Sequence, residues 1–314
     1  LFVRQLREIG ISSNRIRSAI LDYYRAFEQR SAWARENLLV SGEVEEYEDR
    51  LADEWNRYKD VVFEKLKDNS AEEALREAKT DLRDVSAIAV THGPGLVGSL
   101  LVGVIAAKSL ALALGVPLIG VHHIAGHIYA NQLVGTLDYP LIALVVSGGH
   151  TELVYMPSEG RFEIIGKTRD DAVGEAYDKV ARAMGLPYPG GPHVDKLAQQ
   201  ADEEIELPRA WLEDDSYDFS FSGLKSAGLG QGNQAKMKGD VVNKAGLALG
   251  FQNSVIDVLV SKTIRASQAF GAKQVLLCGG VAANRGLRGA LASACEKAGV
   301  PLAVPPLALC TDNA

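Results

Sequence analysis

The chain has 314 residues, 47% hydrophobic and 23% charged, enough to bury a sizeable core in one large or two medium domains. A net charge of −7 and a pI near 5.5 exclude a general polyanion binder, so any nucleic-acid contact needs a local basic patch or a partner. Cys278, Cys295 and Cys310 have no close spacing, which excludes a disulfide framework and a zinc knuckle and reads as reduced cytosolic thiols.

Taken in chain order, the opening LFVRQLREIG lacks the apolar core and cleavage site of a secretory signal. Residues 1 to 70 hold none of the 11 prolines and two of the 31 glycines, so their composition is helical throughout. Charges alternate there with aromatic and leucine positions at helical spacing. Ser41-Gly42 interrupts the pattern, which predicts two antiparallel helices. From about residue 71 the composition becomes that of an α/β protein. Strands are expected over 85–91, 116–121, 139–147 and 273–280, and helices over 96–115, 172–185, 243–270 and 285–298. LIALVVSGGHTELVYM reads as a hairpin around a Gly-Gly turn, with FEIIGKT as a third strand. The stretch 96–115 is long enough to span a bilayer, but Lys108 inside it and the Gly-Pro-Gly before it favour a buried helix of a protein that is not in the membrane.

Several glycine patterns fail as nucleotide motifs. Gly93, Gly95 and Gly98 match G-x-G-x-x-G after a strand, yet no Asp or Glu occurs between Val85 and Leu137 to hold a ribose. GRFEIIGKT has five residues between its glycines, mostly strand formers, so it cannot wrap a phosphate as a P-loop. Ser222 and Lys225 form S-x-x-K without the companion motifs of penicillin-binding enzymes. What remains is three separate glycine turns read at strand ends, VSGGHT, YPGGPHVD and CGGVAAN. Each stands beside a polar side chain (Ser147, Asp195, Asn284), and such turns let backbone N–H groups approach an oxyanion.

VHHIAGHIYA places His123 and His127 four residues apart, on one face of a helix, where two imidazoles can share a cation. Two core or surface histidines would show the same spacing. Ile124 occupies the place of the glutamate in H-E-x-x-H, so zinc-peptidase chemistry lacks its base. Composition does not choose a third ligand.

THGPGLVGSLLVG, HHIAGHIYA, LVVSGGHTELV, DDAVGEAYDKVARAMGLPYPGGPHVDKLA, FSFSGLKS, CGGVAANRGLR and LCTDNA, in this order, closely resemble the TsaD-type (glycoprotease-like) tRNA N6-adenosine threonylcarbamoyltransferases over about residues 71 to 314. The resemblance implies an α/β, actin-like ATPase fold with two ribonuclease-H-like lobes around a nucleotide cleft. It implies transfer of a threonylcarbamoyl group from threonylcarbamoyl-AMP to the exocyclic nitrogen of adenosine 37 in tRNAs reading ANN codons. It further implies one iron(II) per subunit, with zinc able to take its place, held by His123, His127 and Asp312. Val145, Val146, Ser147, Gly148, Gly149, Asp178, Gly191, Asp195 and Asn284 would line the adenylate and threonylcarbamoyl site. No covalent nucleophile is implied. The expected partners are tRNA, a paralogous TsaB-type subunit and a TsaE-type small ATPase, in the cytoplasm.

Residues 1 to 70 do not match that family and faintly resemble a C-terminal helical domain of ABC-three-component system proteins. The family's first strands and closing helix have no counterpart here, so the first lobe is expected to be incomplete, behind a small α-helical segment. On that reading the chain alone is expected to be weakly active or inactive. An ATP-dependent kinase of the same fold and a non-catalytic interaction protein are the competing readings.

Overall fold

The computed structural model describes residues 70–213, 215–224 and 243–310. Residue 70 apart, the segment expected to form two helices lies outside the described residues, as do Lys225 and Asp312. The chain divides into two compact units, one of residues 1–123 with 314 and one of residues 124–313.

The described part of the first unit begins with α1 (Ser70–Ala78), followed by β1 (Ile88–Gly93), α2 (Val97–Leu114) and β2 (Leu118–His122). β1 and β2 pair in parallel, Ile88 opposite Leu118 and Thr91 opposite Val121. A parallel pair needs a crossover, and α2 supplies it. α2 ends where Gly115 takes a left-handed conformation that a side chain would resist. The expectation that 96–115 forms a buried helix needs correction. Only Ile105, Ala107 and Ala111 of α2 are buried, and Leu112 is 61% exposed. Two strands span about 10 Å, no wider than the helix itself, so they can cover only one side of it. Among the described residues α2 is the one helix long and apolar enough to cross a membrane by length and composition.

The second unit holds most of the core. Its helices and strands are α3 (His123–Tyr129, whose first residue belongs to the other unit), β3 (Leu141–Val146), β4 (Thr151–Met156), β5 (Glu163–Lys167), α4 (Val173–Ala183), α5 (Gly190–Ala198), α6 (Lys244–Ala269), β6 (Gln274–Cys278), α7 (Arg285–Ala298) and β7 (Leu302–Ala303). The sheet order is β5-β4-β3-β6-β7. β3, β4 and β5 run antiparallel to their neighbours, while β3, β6 and β7 are parallel. This is the sheet of a ribonuclease-H-like lobe. The β1-α2-β2 crossover is a second parallel unit, in keeping with an α/β actin-like fold.

β3 is buried at all six positions because both faces of the sheet are covered. Ile142, Leu144 and Val146 pack among α4, α5, α6 and α7. Leu141, Ala143 and Val145 pack on the other face with Ile124 and Ile128 of α3. A strand covered on both sides must be apolar without alternation, which is why LIALVV reads as one run. FEIIGKT does form a strand, and Gly166 there lies so close to Tyr217 that a Cβ would sit 2.3 Å from its carbonyl oxygen. The three cysteines are free and buried, and burial pushes Cys295 up to about 11 and Cys278 further, so all stay protonated thiols at neutral pH.

Candidate functional site

α4 is the hub of the candidate site, because its residues touch each of the expected glycine turns. At its start, Val173 N–H donates to Thr151 Oγ1 at 2.8 Å and Gly174 N–H to the Ser147 carbonyl at 3.2 Å. A Cβ on Gly174 would stand 2.6 Å from that carbonyl, so glycine is what lets the helix meet the turn. The turn closes on itself: Ser147 N–H donates to the His150 carbonyl at 2.8 Å, and His150 N–H donates to Ser147 Oγ at 3.1 Å. Val145, Val146 and Ser147 are thereby buried at the end of β3, while Gly148 and Gly149 are exposed. A Cβ on either glycine would meet nothing within 4 Å among the described residues. No neighbour in the described chain demands glycine there, and the open space admits a ligand against the backbone.

The CGGVAAN turn follows β6. Gly279, at φ +91°, places its α-carbon so near Val146 that a Cβ would come 2.4 Å from the carbonyl oxygen. Asn284 ends this turn as the N-cap of α7, its Oδ1 accepting from Leu287 N–H at 2.8 Å. Its Nδ2 donates to Gln252 Oε1 at 2.8 Å and reaches the Tyr177 hydroxyl at 3.5 Å. Tyr177 belongs to α4 and is 2% exposed.

YPGGPHVD is not at a strand end as expected. It joins α4 to α5, and Gly190 and Gly191 are the first two residues of α5. Helix-to-helix geometry depends on a contact made across the turn, which local pattern does not encode. Asp178 of α4 provides that contact, its Oδ1 accepting from Gly190 N–H at 2.6 Å. Asp195 lies in the second turn of α5, with Oδ2 accepting from Gln199 Nε2 at 3.2 Å. Its other oxygen, Oδ1, is buried with no hydrogen-bond partner among the described residues. Burial, with the Asp195 charge second, raises the Tyr177 hydroxyl well above its ordinary range. Tyr177 and Asn284 are thus in contact, and Asp195 is carried by α5, whose start packs on α4.

His123 and His127 both lie on α3, His127 6% exposed and His123 half-buried. Ile124 and Ile128, each one residue further along, anchor α3 on the sheet face opposite α4. The residue that displaces a peptidase glutamate thus has a packing task. No group of three His, Cys, Asp or Glu residues that could hold a metal occurs among the described residues. The pair does fit a divalent cation in chemistry, two imidazoles on one helix face at low exposure suiting iron or zinc, with a third donor drawn from outside.

Two features escaped sequence reasoning. Asp170, just before α4, accepts from the Ser220 and Ser222 hydroxyls at 2.5 and 2.7 Å and from Phe221 N–H at 2.8 Å. The Ser222 hydroxyl of the S-x-x-K pattern is thus engaged in holding a loop. The other is the Gln252–Asn284–Tyr177 contact. A Gln directly after Phe251 in the helical stretch GFQNSV was the available signal.

Residues 64–314 match the family described as TsaD, tRNA N6-adenosine threonylcarbamoyltransferase, and residues 2–91 match C-terminal domain 7 of the ABC-three component (ABC-3C) systems. The tRNA N6-adenosine threonylcarbamoyltransferase of Shouchella clausii is 66% identical over 243 residues, 77% of this chain and 72% of that protein. The protein of the same name from Geobacillus thermodenitrificans is 63% identical over 244 residues, 77% of this chain and 71% of that protein. In fold, the chain is similar to full-length HypF in its phosphate- and nucleotide-bound form, with a TM-score of 0.58 and 17% identity over 77% of this chain and 46% of that one. HypF of T. kodakarensis is similar at a TM-score of 0.55 and 15% identity, over 74% of this chain and 40% of that one.

Proposed function

The chain belongs to the TsaD family of tRNA N6-adenosine threonylcarbamoyltransferases, and from that premise we propose that it moves a threonylcarbamoyl group from threonylcarbamoyl-AMP to the N6 nitrogen of adenosine 37 in tRNAs reading ANN codons. The transferase class and tRNA modification follow from the family. The donor, the position modified and the residues that act are this proposal.

The observation that carries the site is Asp195 Oδ1, buried with no hydrogen-bond partner among the described residues, on the helix that opens with Gly190 and Gly191. A buried carboxylate oxygen left without a donor costs about 1–3 kcal/mol or more, so its retention favours a ligand that supplies one. A ribose hydroxyl has that chemistry. Asp178 keeps its second oxygen for the same use, the first being taken by Gly190 N–H. Val145 to Gly149 end β3 in a turn whose exposed glycines bring main-chain N–H groups within reach of a phosphate. Those amides stabilise the charge that gathers on the phosphate as AMP departs, which helps the acyl bond break. Gly191 leaves room against the start of α5, where a Cβ would meet nothing within 4 Å among the described residues. The adenine amino group is a poor nucleophile, so holding donor and acceptor in register contributes much of the rate. No side chain here needs to form a covalent intermediate.

His123, His127 and Asp312 would hold the cation, iron(II) or zinc, one per subunit. Bound there, it supplies Lewis-acid polarisation of the carbamoyl carbonyl. With a net charge of −7, the chain gains its tRNA contact from local lysines and arginines and from other subunits, a paralogous TsaB-type partner and a TsaE-type small ATPase. The setting is the cytoplasm.

The test is metal analysis of the purified full chain, with His123→Ala beside wild type, followed by mass spectrometry of nucleosides from tRNA incubated with donor and partners. Wild type should carry close to one metal per chain and form threonylcarbamoyladenosine, and His123→Ala should lose more than about nine-tenths of both, as removal of a first ligand does. Equal metal in the two proteins would remove the proposed cation site. Mg2+- and ATP-dependent phosphoryl transfer, unchanged by His123→Ala and without modified adenosine, would replace the transferase reading with a kinase.

A further inference from the structure

Asn284 presents a problem of hydrogen-bond accounting. It is 8% exposed, and the protein itself uses most of its side chain. Oδ1 caps α7 through Leu287 N–H, and Nδ2 serves Gln252 at 2.8 Å and Tyr177 at 3.5 Å. Both amide hydrogens are spoken for, and one lone pair remains. Turning the amide over would bring its oxygen against Gln252 Oε1 and remove the cap from Leu287. One orientation is therefore strongly preferred: Leu287 N–H demands the oxygen, and Gln252 Oε1 and the Tyr177 hydroxyl receive the amide hydrogens that this leaves.

Gln252 is 5% exposed, on the α6 face whose neighbours Phe251, Val255 and Ile256 belong to the core. Packing alone would favour an aliphatic residue there. The neighbouring helix accommodates it: Gly286, in the first turn of α7, lies where a Cβ would come 2.8 Å from Gln252 Nε2. On the other side, Tyr177 sits edge-on to Phe251 with ring centroids 4.9 Å apart, which fixes where its hydroxyl lies. Having accepted from Asn284, that hydroxyl still has its own proton to give. The helix that carries Asp195 starts against Tyr177, since a Cβ on Gly190 would come 3.0 Å from the Tyr177 carbonyl oxygen, and Asp195 Oδ1 is buried with no hydrogen-bond partner among the described residues.

We propose that Gln252 and Tyr177 are positioning residues for the donor site: together they hold the Asn284 amide at the α7 cap, from α6 on one side and from α4 on the other. This rests on the transferase reading above and adds to it the residues that set the pocket's polar geometry. Neither residue touches the reacting atoms. Their contribution is to binding of the adenylate half of the donor rather than to the chemical step.

The test measures AMP affinity by calorimetry, and KM and kcat for threonylcarbamoyl-AMP, on the full chain with its partners. Gln252→Met keeps the volume and removes the acceptor. It should raise the AMP Kd and the donor KM about tenfold with kcat within about threefold, as loss of one buried hydrogen bond would. Gln252→Glu keeps an oxygen in place and should recover most of that affinity. Tyr177→Phe keeps the ring against Phe251 and should weaken AMP binding about threefold. Unchanged AMP affinity in Gln252→Met overturns the inference alone. Equal impairment of the Met and Glu variants, tracking a common fall in Tm, also overturns it and makes Gln252 a packing residue. Wild-type protein that binds no AMP overturns the functional reading and this inference together.

Discussion

β1 and β6 are similar strands, each short, mostly apolar, reaching a glycine at or just after its end and paired in parallel. β6 is buried at all five positions, whereas β1 is half-buried or exposed throughout. What differs is the company each keeps. β6 sits inside a five-stranded sheet with helices on one face and α3 on the other, while β1 has β2 as its sheet neighbour among the described residues. Burial is therefore a property of sheet width and of the layers above and below, and a strand's own residues do not decide it. The candidate donor site follows the same division, since all its described pocket residues come from the wider sheet and its helices.

The comparison can be broken most directly at Phe251, fully buried where α6 faces Tyr177. Phe251→Ala should cost about 3–5 kcal/mol by urea unfolding, the usual toll of a large core truncation. A loss below about 1 kcal/mol would show that this layer is loosely packed and that the contrast with β1 and α2 is false.

A smaller effect is expected at Asp170. Partial burial raises its pKa, but the donors from Ser220, Phe221 and Ser222 outweigh that and leave it below the ordinary carboxylate range. The folded value being depressed, its contribution is complete above the unfolded pKa of about 3.9 and vanishes as pH falls through the folded value. Asp170→Asn should therefore lower stability by about 1–2 kcal/mol at pH 7, a modest sum because the group is partly solvated. Unfolding curves recorded down the pH scale should show the gap to wild type closing below about pH 4, and a gap constant with pH would remove the ionised hydrogen bonds as its cause.

The smallest effect sharpens the contrast from the other side. Leu112 on α2 is 61% exposed. Leu112→Ser should change stability by no more than about 0.5 kcal/mol in the same urea experiment. A loss above 2 kcal/mol would mean that α2 is covered in solution.

Much of the fold was legible before any coordinates. The apolar runs at 139–147 and 273–280 and the helical stretches at 172–185, 243–270 and 285–298 agree with the observed elements to within three residues at each end, because their hydrophobic pattern and caps are local. The short β7 and the start of α5 were not legible. Leu302–Ala303 is too brief for a pattern, and α5 begins in Gly-Gly-Pro, which reads as a turn until Asp178 fastens it.

The site divides along the same line. Sequence by itself determined the residue types, the i, i+4 spacing of His123 and His127, and the family through seven collinear motifs. It also determined that Ile124 cannot be a peptidase base. Only the tertiary structure decided that α4 joins the three glycine turns, that Asp195 keeps a buried oxygen without a partner among the described residues, and that the Asn284 amide is committed to Gln252 and Tyr177. The reason is physical. Spacing and propensity act over a few bonds of chain, but a hydrogen bond between residues 107 or 32 positions apart exists only once packing has brought them together.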